Sequence, residues 1–298
     1  MAERVPEVFL SGETQFPEGP IVDKDGTLYI CELARGTVTK ITTDGESSVL
    51  AEMPGSPNGI AFGPDRSIYV CNGGGRWVPR GSTNCSEGQG EHPGLLQKLE
   101  LDGSYTTLIS EIDGIPLNAP NDLVFDAEGN FYFTDPIWSD ASGKVSPGTI
   151  CFSTLDGQAK RLHTGMSYPN GIALSPDAKT LIVAETYTAK LLAFSITGPG
   201  EISGPREFAT LRDEARPDGI CVDEEGRVIS TGHGVSSLQV FPPDGGLLED
   251  EIPMEEPYAT NICFGGKDFR QIYATHSGSG RIVSVEWKTP GLVLFPDR

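Results

Sequence analysis

Basic residues are scarce in this 298-residue chain. Lys and Arg number 22 against 42 Asp and Glu, a formal net charge of −20. So acidic a chain offers no electrostatic footprint for nucleic acid or an anionic membrane. No apolar run approaches the ~20 residues that a membrane-spanning helix needs. The first residues, MAERVPEVFLSGE, lack the apolar core of a signal peptide. The expectation is a soluble, cytoplasmic protein with no nucleic-acid or membrane partner; the sequence sets no oligomeric state. The six cysteines, at 31, 71, 85, 151, 221 and 263, never form CxxC, which excludes a zinc ribbon or thioredoxin-type motif. Most lie in apolar strand-like runs and read as reduced thiols, whereas Cys85 falls in a polar loop. A nucleophile elbow, an HExxH helix, a phosphate-binding loop and an EF-hand are all missing. Nor does any segment keep a 3.6-residue apolar period over helical length.

What the chain has in excess is turn residues, 37 Gly and 23 Pro, and a phrase that returns six times. The copies are PEGPIVDKDGTLYICE (17–32), PNGIAFGPDRSIYVCN (57–72), PNDLVFDAEGNFYFTD (120–135), PNGIALSPDAKTLIVAE (169–185), PDGICVDEEGRVISTGH (217–233) and TNICFGGKDFRQIYATH (260–276). Each reads as a polar residue, usually a Gly, an apolar strand, a turn and a second apolar strand. Two further strand-like runs follow each hairpin, as in GTVTKITT and SSVLAEM. The polar residues, Glu18, Asn58, Asn121, Asn170, Asp218 and Asn261, lie 40 to 63 residues apart. That spacing suits a four-stranded propeller blade. The expected fold is all-β: one six-bladed β-propeller domain over 1–298, with four antiparallel strands per blade. VPEVFLSG near the N-terminus is a strand without a blade and is expected to close the ring as the outer strand of blade six; the C-terminal PGLVLFP is the alternative.

In a propeller the first strand of each blade lines the central channel, so the six polar residues ring one mouth. A second series, Glu32, Asn72, Asp135, Glu185, His233 and His276, follows at an offset of 14 or 15. A hairpin brings it back opposite the ring as a supporting layer. Residues 72–94, 111–120 and 135–147 fall over the same mouth, 72–94 being an insertion. Asn118, Trp77, Arg80, Trp138, Tyr168 and His276 are the candidate lining of a substrate pocket. Two acids and four amides give an all-oxygen donor set. Glu18 and Asp218 would repel each other unless a cation neutralised them. Such a set suits Ca²⁺ foremost, with Mg²⁺, Mn²⁺ or Zn²⁺ as alternatives.

Four motifs together resemble the SMP-30/gluconolactonase/LRE-like family over essentially the whole chain: FPEGP (16–20), LNAPNDLVFDAEGNFYFTDP (117–136), YPNGIALSPD (168–177) and RPDGICVDEEG (216–226). The resemblance implies a divalent metal held by Glu18, Asn170 and Asp218, with Asn121 as a fourth ligand or substrate contact. It implies lactone hydrolysis with Asp218 as base; the expected mechanism has the metal polarise the carbonyl while a water, either metal-bound or activated by Asp218, attacks. Some members hydrolyse organophosphates at the same kind of site. Animal-type sugar lactonases of the family carry Arg two residues before the Asn matching Asn121; here that residue is Ala119. An organophosphate or ester hydrolase and a non-enzymatic propeller scaffold are the alternative functions.

Overall fold

The computed structural model describes residues 5–12, 14–75, 92–137 and 146–295. Trp77, Arg80, Cys85 and Trp138 lie outside them. Six four-stranded antiparallel sheets follow one another along the chain as the blades of a propeller. The innermost strands are Pro17–Val22, Pro57–Phe62, Leu123–Phe125, Pro169–Leu174, Arg216–Val222 and Ala259–Gly265. The only helical pieces among the described residues are two single 3₁₀ turns, Thr186–Thr188 and Arg212–Glu214. None is long enough to cross a membrane.

The blades form for local reasons. In three blades an Asp opens the first hairpin turn and accepts backbone N–H groups two to four residues on, and in blade two an Asp within the turn accepts one. Asp23 does so from Asp25 and Thr27, Asp126 from Glu128 and Asn130, and Asp223 from Glu225 and Arg227; Asp65 accepts from Ser67. These Asx turns make the Asp-containing turns sequence signals for reversal. Between turns the strands alternate, and their apolar faces pack blade against blade. Leu174, Leu181 and Phe194 fill one such layer with Tyr132 and Phe152, and Ile229, Leu238 and Ile252 fill another with Ile262 and Ile272.

The ring closes as expected at its N-terminal end. Glu7–Leu10 pairs antiparallel with Arg281–Glu286, Glu7 opposite Ser284, so blade six is built from both ends of the chain. PGLVLFP, the alternative closing strand, does something else. Glu224 N donates to Pro290 O (2.9 Å) and Leu292 N to Val222 O (2.9 Å), which carries the tail across the channel end remote from the ring. Trp287 anchors it, its Nε1 donating to the buried Asp223 (3.0 Å). Leu292, Leu294 and Phe295 then line the end of the central cavity.

Candidate functional site

The inner strands do not begin smoothly. In five blades the register slips by one residue at the polar position: between Glu18 and Ile21, Pro57 and Ile60, Pro169 and Ile172, Pro217 and Ile220, and Ala259 and Ile262. Each slip is a bulge, which bends the strand and re-aims the side chains before it. The phrase Pro-polar-Gly is thus the sequence of a bulge at a channel mouth. Its glycine is there because the strands converge. A Cβ on Gly171 would lie 2.8 Å from Ile220 N and 2.9 Å from Gly219 Cα in the next blade.

A belt of hydrogen bonds holds neighbouring blades together at this level. Gly59 N donates to Asn121 O (2.7 Å) and Thr134 Oγ1 to Asn170 O (2.8 Å). Thr186 Oγ1 donates to Pro217 O (2.8 Å), Thr231 Oγ1 to Thr260 O (3.0 Å) and Thr260 Oγ1 to Pro17 O (3.0 Å). Backbone carbonyls of the ring phrase are thereby satisfied by the adjacent blade.

Glu18, Asn58, Asn121 and Asn170 are buried and Asp218 is part-exposed. The registers alter the sixth member. Ala259 stands opposite His276 and Ile262 opposite Ala274, as Pro57 stands opposite Asn72 and Ile60 opposite Val70. Thr260 therefore holds the ring position of blade six, and Asn261 sits one residue deeper, where the phrase has glycine. The same comparison places Asn121 on the ring and Asp122 at the glycine level, since Leu123 faces Phe133. The sequence reading does not single out Asp122, although a signal exists: PND departs from PNG at the glycine.

Three carboxyls thus gather at the mouth. Enclosure by protein, then the charges of Asp218 and Asp122, push Glu18 well above the ordinary carboxylate range. Enclosure raises Asp122 to about 7. Asp218 is raised by enclosure and by Asp122, against a hydrogen bond from Asn170. Among the described residues no Lys, Arg or His forms an ion pair with any of the three. The Asn170 nitrogen is tied to Thr186 Oγ1 (3.2 Å), which leaves its carbonyl oxygen as the end available to a cation. An all-oxygen set with acids and no basic partner fits a hard divalent ion.

The supporting series behaves differently from the expectation. Glu32 stands opposite Pro17, not Glu18. Its carboxylate accepts from Gln15 N (2.7 Å) and Thr39 Oγ1 (2.5 Å). Asn72 accepts from Ser56 N (3.0 Å), Asp135 from Asn118 N and Ala119 N (both 2.9 Å), and Glu185 from Ser167 N (2.8 Å). Four blades therefore share one device: the residue at this offset clamps the backbone two or three residues ahead of the ring. It fixes where the chain enters the ring and acts on backbone, not on the ring side chain of its own blade. Asn118 also gives its side-chain nitrogen to Asp135 (3.0 Å), so this pocket candidate is held at the loop 111–120.

The two histidines of the series do otherwise. His233 lies opposite Arg216, its ring 5.5 Å from Tyr258. His276 is buried, and neither ring nitrogen has a hydrogen-bond partner among the described residues. On blade four Tyr168 adopts φ 65° and packs 5.2 Å from Tyr187, over which Arg216 sits at 5.9 Å. Positive φ at Tyr168 and at Phe16, each two residues before a ring member, is strain stored beside the site. The ends of the insertion meet over the same region: Gly75 N donates to His92 O (3.0 Å), and Gly94 bridges to Leu117.

Burial holds His276 below the usual imidazole pKa, helped by Arg281 and opposed by Glu256 and Glu255. An unfolded His titrates near ~6.5. The stability carried by the neutral ring is therefore complete above that pH and is lost as pH falls toward the folded value. The melting-temperature difference between the wild type and His276→Gln is expected to move against the wild type between pH 7.5 and 5.5. An unchanged difference would show that burial does not hold this ring neutral.

A six-bladed propeller with a carboxylate- and amide-lined mouth defines a class of channel-mouth sites. Residues 16–278 match the SMP-30/Gluconolactonase/LRE-like region, and the chain belongs to that family. It is 29% identical to diisopropyl-fluorophosphatase of Loligo vulgaris, over 92% of this chain and 90% of that one. It is 27% identical to gluconolactonase of Zymomonas mobilis, over 95% and 81% of the two chains. Among solved structures, a gluconolactonase from Xanthomonas campestris superposes with a TM-score of 0.79 at 25% identity, covering 97% of this chain and 91% of that one.

Proposed function

We propose that this protein is a divalent-cation-dependent hydrolase that opens lactones. The observation that carries the reading is the set of three carboxyls at the mouth, Glu18 and Asp122 buried and Asp218 part-exposed, without a basic partner among the described residues. Relatives named gluconolactonase and lactonase supply the reaction class. Glu18, Asn170 and Asp218 would hold the ion, with Asn121 as a fourth ligand or a substrate contact. Ca²⁺ leads, because oxygen ligands from two acids and two amides match its preferences.

The ion, when bound, supplies a Lewis acid for the lactone carbonyl. The chain's own groups do the rest. Asp218 accepts a proton from the attacking water, whose oxygen bonds to the carbonyl carbon. The ring C–O bond breaks, and the departing oxygen takes that proton back from Asp218, leaving a hydroxy acid and a restored carboxylate. Asn121 orients the substrate, and Tyr168, Asn118 and His276 border the pocket. The unpartnered nitrogens of His276 give it hydrogen-bonding capacity to spare.

Phosphotriester hydrolysis at the same site is the second reading, favoured by the fluorophosphatase relative and by Ala119 in place of a sugar-binding Arg. One experiment separates the readings. Chelator-treated protein is assayed on aldonolactones, aromatic lactones and phosphotriesters, and Ca²⁺, Mg²⁺, Mn²⁺ or Zn²⁺ is then restored singly. Lactone turnover is expected to vanish with the metal and to return best with Ca²⁺. Full turnover in chelator, or turnover of phosphotriesters alone, would sink the leading proposal.

A further inference from the structure

One residue below the ring, the phrase calls for glycine, and blades one, two, four and five supply Gly19, Gly59, Gly171 and Gly219. Blades three and six supply Asp122 and Asn261 instead. In a six-membered ring these two blades face each other across the axis, so the two inner-strand side chains at this level, among the described residues, come from opposite walls.

Each is seated by a neighbour's glycine. A Cβ on Gly59 would collide with the Asp122 carboxyl and lie 2.6 Å from its Cα. A Cβ on Gly219 would collide with the Asn261 carboxamide and lie 2.6 Å from its Cα. Both also cap their own strands, Leu123 N donating to Asp122 (2.9 Å) and Ile262 N to Asn261 (2.8 Å). The Asp122 carboxyl also lies against the backbone of Ile172 in blade four. The Asn261 side chain lies beside Asp122 and beside Glu18 of blade one. Between them the two residues touch all six blades. Below them runs a cavity of about 130 Å³ with largely apolar walls, including Ile60, Val124 and Ile220, and the C-terminal tail lines its far end.

We infer that Asp122 and Asn261 form a crossbar that is the floor of the proposed cation site, Asn261 setting the position of Glu18 and Asp122 adding a third carboxylate beneath the ion. The inference rests on the cation-dependent reading above. Both are positioning residues: they act through Glu18 and through charge, and they separate a polar mouth from an apolar channel.

The charge arrangement gives a signature that ordinary packing lacks. With no cation, Asp122 adds repulsion to two other enclosed carboxyls; with one bound, it adds attraction. A side chain that only fills and hydrogen-bonds would stabilise both forms. The test is thermal melting at pH 8 of wild type, Asp122→Asn and Asn261→Gly, in chelator and in excess Ca²⁺, with Ca²⁺ affinity from calorimetry. Asp122→Asn is expected to melt above wild type in chelator, to gain less from Ca²⁺ and to bind it at least about tenfold more weakly. Asn261→Gly restores the phrase's own glycine and is expected to weaken Ca²⁺ binding several-fold through Glu18. Melting below wild type in both conditions with unchanged Ca²⁺ affinity would make the pair ordinary core and overturn the inference, leaving the proposed function standing. A wild type that takes up no Ca²⁺ would instead remove the proposed function, and the floor with it.

Discussion

Asp218→Asn is expected to reduce lactone turnover by about a thousandfold and Ca²⁺ affinity by two to three orders of magnitude. The side chain keeps its shape, so the loss isolates one charge. Removing one member of an enclosed, compensated charge set typically costs ~3–5 kcal/mol, which is a factor of roughly 10²–10³ or more in binding. The same charge is a burden to the cation-free protein, where Asp122 and enclosure already push the Asp218 proton affinity up. Asp218→Asn should therefore melt higher than wild type in chelator while losing most of its Ca²⁺-induced stabilisation. Glu18→Gln should repeat the pattern, because at Glu18 too enclosure is the first cause and neighbouring carboxyls add to it. Calorimetry and melting on the two variants check it. Retention of both full turnover and full cation content in either one would remove that residue from the site.

The architecture is legible because the repeat is written in backbone chemistry. Pro-polar-Gly encodes a bulge, an Asp-led turn encodes a reversal, and four strand-like runs per unit encode a blade. The N-terminal strand can be placed because a ring needs a twenty-fourth blade strand and only one orphan run precedes blade one. Less legible is anything set by register. Asn261 looks like a ring residue in sequence, yet it lacks the following glycine, and the pairing of Ala259 with His276 puts Thr260 on the ring. Asp122 is hidden by its neighbour: Asn121 satisfies the pattern, and the residue after it reads as a strand start. The supporting carboxylates are found by offset, but offset cannot say which atom they hold. Glu32, Asp135 and Glu185 grip backbone N–H groups ahead of the ring, a role that depends on the path of the preceding loop. The fate of PGLVLFP is likewise beyond a strand-propensity reading, because its partners, Val222 and Glu224, are reached only when the ring is closed.

Gly171→Ala should be strongly destabilising, although it adds a single methyl. Gly171 is not in the left-handed region, so the substitution carries no backbone-conformational penalty of that kind. The whole effect is proximity. The new Cβ would meet Asp218 O, Ile220 N at 2.8 Å and Gly219 Cα at 2.9 Å, all of them backbone atoms of the next blade. Backbone cannot rotate aside as a side chain can, so blades four and five must separate at the ring. That displaces Asp218 and strains the bond from Thr186 Oγ1 to Pro217 O. Overpacking of this kind costs about 3 kcal/mol, which for a chain of this size lowers the melting temperature by roughly 6 °C. Gly73→Ala is the matched control, because its Cβ would find its nearest neighbour, Ser56 O, at an ordinary 3.6 Å. It should melt within about 2 °C of wild type. If the two alanine variants melt together, the inner strands are not packed backbone to backbone, and close approach is not why the repeated phrase holds glycine. If Gly171→Ala alone falls, and Ca²⁺ affinity falls with it, then the close approach that closes the ring also sets the distance between Asn170 and Asp218.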